Sequence, residues 1–177
     1  MPELDAFRFA SYCGISGVTK KEETLADGAA TVAALSAAVT AMDDEEVTAT
    51  GRYLFITPTL LQGINDMDTT KSKKVLEGFE QVIKVPQRRF YTAIKQLSGK
   101  TGEEAGGYTK ATGAANINFA IVQKDALIQY TKHAAPKIIA PENNPDADAY
   151  VFGYRMVGIA KAYKNMLSGM YFSHDKA

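Results

Sequence analysis

The residue types that could do chemistry fall into a few short constellations. Gly99-Lys100-Thr101 has the ending of a phosphate-binding loop, in which backbone amides cradle phosphate oxygens and the lysine neutralises them. That loop needs a glycine five positions before Gly99, where Ile94 stands, and Gly102, Gly106 and Gly107 oppose the helix that must follow. Asn144, Asp146 and Asp148 alternate like the first oxygen ligands of a calcium loop. The required glycine is replaced by Ala149 and the twelfth-position glutamate by Arg155, so turn chemistry explains the Asn and Asp residues. Asp43-Asp44-Glu45-Glu46 offers four carboxylates to a hard cation, but no histidine or other ligand is near in sequence. Carboxylates at a helix C-terminus oppose its dipole, so this run is expected to mark a helix end and face water.

Single residues add little. Cys13 lies between Tyr12 and Gly14 at an expected helix end, where a free cysteine is usually small apolar filler. Arg88-Arg89 suits either nucleic-acid phosphate or surface and intersubunit charge pairs, the second being expected. His133 stands beside Lys132, and His174 has no partner in sequence. The sequence therefore predicts no catalytic, cofactor-binding or metal-binding residues. An enzyme would have to gather a site from dispersed groups such as Arg88, Glu103, Asp125 and His133.

The elements that would position these groups are mixed helix and strand. Pro2–Tyr12 reads as a helix, with Pro2 at the first position and Glu3 and Asp5 at the positive end of the dipole. Residues 14–24 read as a solvated loop. In Ala29–Met42, Val32, Leu35, Val39 and Met42 share one face of a 3.6-residue repeat. Tyr53–Ile56 is a short apolar strand, after which Thr57 can cap a helix over Thr59–Asn65 with Pro58 at its first position. Residues 66–74 are polar and read as a mobile excursion. Val82–Val85 reads as a second central strand stopped by Pro86, and residues 97–115 as a long loop.

In Ile117–Val122, Ile117, Phe119 and Ile121 are expected on one side and Ala120 and Val122 on the other. Ala126–Tyr130 is apolar, either helical or extended, and a proline-bounded connector follows. The alternation from Tyr150 to about Tyr163 predicts a long strand, with Met170-Tyr171-Phe172 returning as its hairpin partner.

At 177 residues with 46% hydrophobic content the chain has enough apolar material for a sizeable core. Twenty Lys and Arg balance twenty Asp and Glu, which argues against a strongly basic nucleic-acid binder. One cysteine permits no internal disulfide and favours a reducing compartment. No apolar run approaches the roughly 20 residues of a membrane span, and the acidic start lacks the apolar segment of a secretion signal.

Several segments together resemble the major capsid proteins of tailed bacteriophages, the Hong Kong 97-type shell proteins. They are Pro2–Ala10, Gly51–Pro58, Val82–Tyr91 and the stretch opening at Asn116, and their order covers most of the chain. The resemblance implies an α+β capsid fold, with an axial lobe of short central sheet flanked by helices and a peripheral lobe carrying a long-stranded hairpin. It implies one capsid-fold fragment over 1–177, axial-lobe-like over 25–133 and peripheral-lobe-like over 1–15 and 134–177. An N-terminal arm and extended loop of that family are not found here, so the sequence is expected to be a C-terminal portion.

The function so implied is a structural, non-enzymatic subunit of an icosahedral bacteriophage or prophage head. It would be assembled in the host cytoplasm and located in the virion. Its partners would be copies of itself in capsomers, with scaffolding, portal or decoration proteins besides, and no membrane, cofactor or sequence-specific nucleic acid. The alternatives are a small cytosolic α+β enzyme and a phage tail or head-completion protein.

Overall fold

A computed structural model describes residues 2–103, 106–144 and 148–176. The helices are α1 (Pro2–Cys13), α2 (Gly28–Asp44), α3 (Pro58–Asp66) and α4 (Thr70–Glu77). The strands are β1 (Thr19–Glu22), β2 (Arg52–Ile56), β3 (Gln81–Lys84), β4 (Ile94–Gln96), β5 (Tyr108–Lys110), β6 (Ile117–Gln123), β7 (Leu127–Ile139), β8 (Val151–Ala162) and β9 (Met170–His174). They form a five-stranded sheet ordered β1-β9-β6-β2-β3, a small β4–β5 pair and a long β7–β8 ribbon.

The five-stranded sheet is the centre of the molecule because β6 is buried along its whole length. On one side Phe119 and Ile121 of β6, Leu54 and Ile56 of β2 and Tyr171 of β9 meet the apolar faces of α2 and α3. On the other, Ala120, Val122, Met170 and Phe172 meet Tyr12 and Cys13 of α1, with Phe90 and Ala126. Alternation along each strand thus supplies two apolar layers.

Ile117 departs from the expected alternation. A register shift between Ile117 and Phe119 sends Ile117 to the α1 side. A bulge inserts one residue and so reverses the parity beyond it. Here that residue is Asn118, whose amide donates to the backbone oxygen of Glu23 at 3.0 Å.

α2 follows its periodicity and is opened by Asp27, whose carboxylate accepts from the Ala30 amide at 2.7 Å. Gly28 lets it approach α3 closely: a Cβ there would lie 2.1 Å from the Gly63 carbonyl oxygen. Thr57 occupies the N-cap of α3, but its side chain makes no cap bond. Its amide instead donates to Asn118 O, tying α3 to β6.

Four further expectations are corrected. Residues 66–74 are not an open excursion: α4 forms on a Thr69–Ser72 capping box, and Val75 and Leu76 pack on the core. Residues 14–24 include β1, an exposed charged edge strand parallel to β9. β3 is an edge strand of the sheet rather than a central one. Within residues 97–115, β5 pairs antiparallel with β4.

The largest correction concerns the hairpin. β8 is the expected long strand, but its partner is β7, which absorbs the Ala126–Tyr130 element from Leu127 on and the supposed connector through Pro136. A proline is tolerated there because each strand of a two-stranded ribbon keeps one edge unpaired. Met170–Phe172 lies instead in β9, antiparallel to β6 in the central sheet.

Candidate interaction surface

The residues an enzyme would need are spread out. Arg88 lies in the turn Gln87–Arg89, where its backbone oxygen accepts from the Tyr108 hydroxyl at 3.0 Å. That turn meets the Ile117 end of β6, through Phe90 O and Ile117 N. Asp125 follows the opposite end, after Gln123. Seven strand residues separate those ends by roughly 20 Å. His133 is exposed partway along β7.

Glu103 belongs to the β4–β5 connection, where it accepts from Lys95 Nζ at 2.7 Å and from the Ser98 amide at 2.8 Å. These donors hold its carboxyl at about 2, far below the ordinary 4.5. Its charge therefore serves the loop.

The remaining candidates have structural partners. Arg89 pairs with Asp5 of α1 at 3.3 Å. Cys13 is buried, and burial pushes its thiol up despite the opposing charge of Lys20, the reverse of an activated thiolate. Asp43 pairs with Arg52 at 2.7 Å, while Asp44, Glu45 and Glu46 are exposed. His174 Nδ1 is 2.8 Å from the Asp175 backbone oxygen. In the suggested calcium loop, Asn144 donates to Ala149 O at 2.9 Å, Asp148 is exposed, and Asp146 lies outside the described residues. Among the described residues no three His, Cys, Asp or Glu side chains gather as a metal site, and no helix is long and apolar enough to cross a membrane.

What the molecule does present is the β7–β8 ribbon. Its strands run for roughly 40 Å and have no third partner strand among the described residues. The register sorts the side chains into two faces. One carries Leu127, Gln129, Thr131, Ala134, Pro136 and Ile138 of β7 opposite Ala162, Ala160, Gly158, Met156, Tyr154 and Phe152 of β8, without a charge. Its base packs on the α1 side of the body through Leu127, Ala160 and Ala162. There the Gln129 carbonyl oxygen, with the amide suitably oriented, accepts from the Arg8 guanidinium at 3.1 Å. Beyond that base the face overhangs: Phe152 is 75% and Ile138 64% exposed.

The opposite face carries Lys137, Arg155, Lys161 and His133 among Val151, Val157, Ile159 and Tyr130. Between α1 and the flank of β8 lies a groove of about 520 Å³, lined by Phe7, Arg8, Gln96 and residues 154–160. Isolated two-stranded ribbons are marginal in water, and contiguous exposed apolar surface marks an interaction site. The sequence signal was the aromatic alternation of β8. The face sorting needed the bulge between Thr131 and His133, which no residue pattern announces.

No protein-family model matches the chain, and no curated protein matches it. Solved structures do. Over 97% of its length the chain is similar to a structure of Mycobacterium phage Che8, with a TM-score of 0.59 and 9% identity. Over 98% it is similar to a chain in the capsid structure of the cyanophage P-SCSP1u, with a TM-score of 0.53 and 17% identity. It spans 58% and 60% of those two chains. At such identities the likeness shows architecture alone: this mixed helix-and-sheet fold is shared with a phage capsid structure.

Proposed function

We propose that the chain is a structural subunit of an icosahedral bacteriophage or prophage head, of the Hong Kong 97 type, acting without catalysis and residing in the virion. The observation that carries this is the similarity, over 98% of the length, to a chain in a cyanophage capsid structure. The exposed apolar ribbon supports it, since a subunit that works by contact with copies of itself must leave such surface uncovered until it assembles.

In this reading the sheet with α2–α4 belongs to the axial-like lobe, mainly within 25–133. α1 and β8 belong to the peripheral-like lobe, within 1–15 and 134–177. β7 and β9 cross that division: β7 leaves the body to pair with β8, and β9 returns to the sheet. The chain spans about three fifths of the two similar chains. Copies of itself are the principal partners, with scaffolding, portal or decoration proteins as further ones.

The test is electron microscopy of the product of the complete reading frame, with sedimentation beside it. Closed shells are the expected outcome. Tubes would move the chain to a tail or head-completion role, and small particles from a folded product would overturn the shell reading.

A further inference from the structure

We infer that the charged face of the β7–β8 ribbon seats the acidic C-terminal end of α2 from a second copy of this chain. The inference rests on the shell-subunit reading and deepens it by naming the two surfaces that meet.

The charge distribution is the first argument. β7 and β8 carry Lys132, Lys137, Arg155 and Lys161 and no Asp or Glu. The whole chain has twenty basic and twenty acidic residues, so sixteen basic residues face twenty acidic ones outside the ribbon. The basic side chains are interleaved with exposed Val157, Ile159 and Tyr130, at 43%, 48% and 61%. Aliphatic side chains between the charges suit a protein surface better than a phosphate backbone, for which they supply nothing.

The end of α2 supplies the complement. Asp44, Glu45 and Glu46 are exposed, and none has an ion pair among the described residues, whereas Asp43 is held by Arg52. Carboxylates at a helix C-terminus oppose its dipole and repel one another. Glu46 also has a φ of 57°, the left-handed position that helix ends normally give to glycine or asparagine. The backbone of this helix end is held within the chain, by Glu46 N to Asp43 O, Val47 N to Met42 O and the Arg52 pair, but the three carboxylates have no cation among the described residues and are open to one from another copy.

Topology makes the contact intermolecular. α2 covers one side of the five-stranded sheet, and the ribbon base packs on the other. A ribbon-to-α2 contact therefore joins unlike surfaces of two copies, head to tail. Such contacts close into rings or extend into lattices rather than stopping at a twofold dimer. The ribbon face is roughly 40 Å by 10 Å, or about 400 Å² per partner, half the usual extent of a stable interface. Each contact is then weak alone and effective only when repeated.

The experiment uses charge reversal in the full chain: a ribbon variant (Lys137→Glu with Arg155→Glu), an α2 variant (Glu45→Lys with Glu46→Lys), and the two combined. Circular dichroism checks folding, and sedimentation velocity at low and high salt reads association. The expected result is weak, salt-sensitive self-association of the natural chain. Either variant alone should weaken it by more than tenfold. The combined variant, and an equimolar mixture of the two single variants, should recover it. Association indifferent to both reversals, or no recovery, would overturn the inference. So would unchanged association with loss only of double-stranded DNA binding in a mobility shift, which would make the face a nucleic-acid contact. Shells still formed by a complete product carrying the ribbon reversal would defeat the inference and leave the shell reading intact. Ribbon-dependent association in a product that forms no shells would do the opposite.

Discussion

Arg52 Nη2 lies 2.7 Å from Asp43 Oδ1 across the turn between α2 and β2, yet the arginine side chain is 2% exposed and the aspartate 56%. The guanidinium also donates to the backbone oxygens of Val47 and Thr48. It thus satisfies carbonyls of the turn that carries the chain from α2 to β2.

That asymmetry sets the first prediction. Arg52→Ala should lower unfolding free energy by about 3 kcal/mol, because it leaves a cavity where a buried side chain stood and removes the donor of two part-buried bonds. Asp43→Asn should cost less than about 1 kcal/mol, since the half of the pair it alters is screened by solvent. Equal losses in chemical denaturation would show that the ion pair, rather than the carbonyl contacts, anchors the turn.

Phe119 is fully buried and stacks on Tyr171 with ring centroids 6.2 Å apart. Phe119→Ala should cost roughly 3–5 kcal/mol, the usual range for removing a buried phenylalanine. An unchanged denaturation midpoint would contradict the placement of β6 at the centre of the sheet.

The parts legible in the sequence were those where one periodicity ruled. α2 showed the 3.6-residue repeat of Val32, Leu35, Val39 and Met42, and β6 showed a continuous apolar run. β1 was not legible because all four of its residues are exposed, and its identity as a strand comes only from pairing with β9. α4 was hidden by its polar composition and by a capping box closed with Ser72 instead of Glu or Gln. The first part of β7 was read as an apolar element, helical or extended, and its second part as a connector because His133 and Pro136 break its alternation, and that misassigned β9 as the partner of β8. The apolar content of the ribbon was visible in the sequence; its division into a charged and an uncharged face depends on register, which is a tertiary property.

Glu103 should carry the most displaced titration among the described carboxylates. The Lys95 ammonium and the Ser98 amide stabilise its ionised form and bring it from 4.5 to about 2. A depressed folded value means that its contribution to loop order is complete above 4.5 and is lost as pH falls towards about 2. Carboxyl chemical shifts followed by NMR should show this midpoint, and Lys95→Met should raise it towards 4.5. An ordinary midpoint in the natural chain would mean that the Lys95 and Ser98 contacts do not persist in solution.

The overhanging uncharged face of the ribbon separates folding from assembly. Phe152 and Ile138 are directly paired across the strands and expose 75% and 64% of their surfaces, so little of their apolar area is buried when one chain folds. Phe152→Ser with Ile138→Ser should therefore shift unfolding free energy by less than about 1 kcal/mol, the scale of a cross-strand pair contribution. If copies cover this face in a shell, the same two changes should sharply reduce particle yield from the complete product, because every repeated contact loses the same apolar area. Binding of a hydrophobic dye to the separate chain should fall in parallel. A large loss of stability would show that the two side chains already belong to the core of a single copy. Full particle yield would show that this end of the ribbon stays in solvent after assembly, which would leave the charged face as the contacting one.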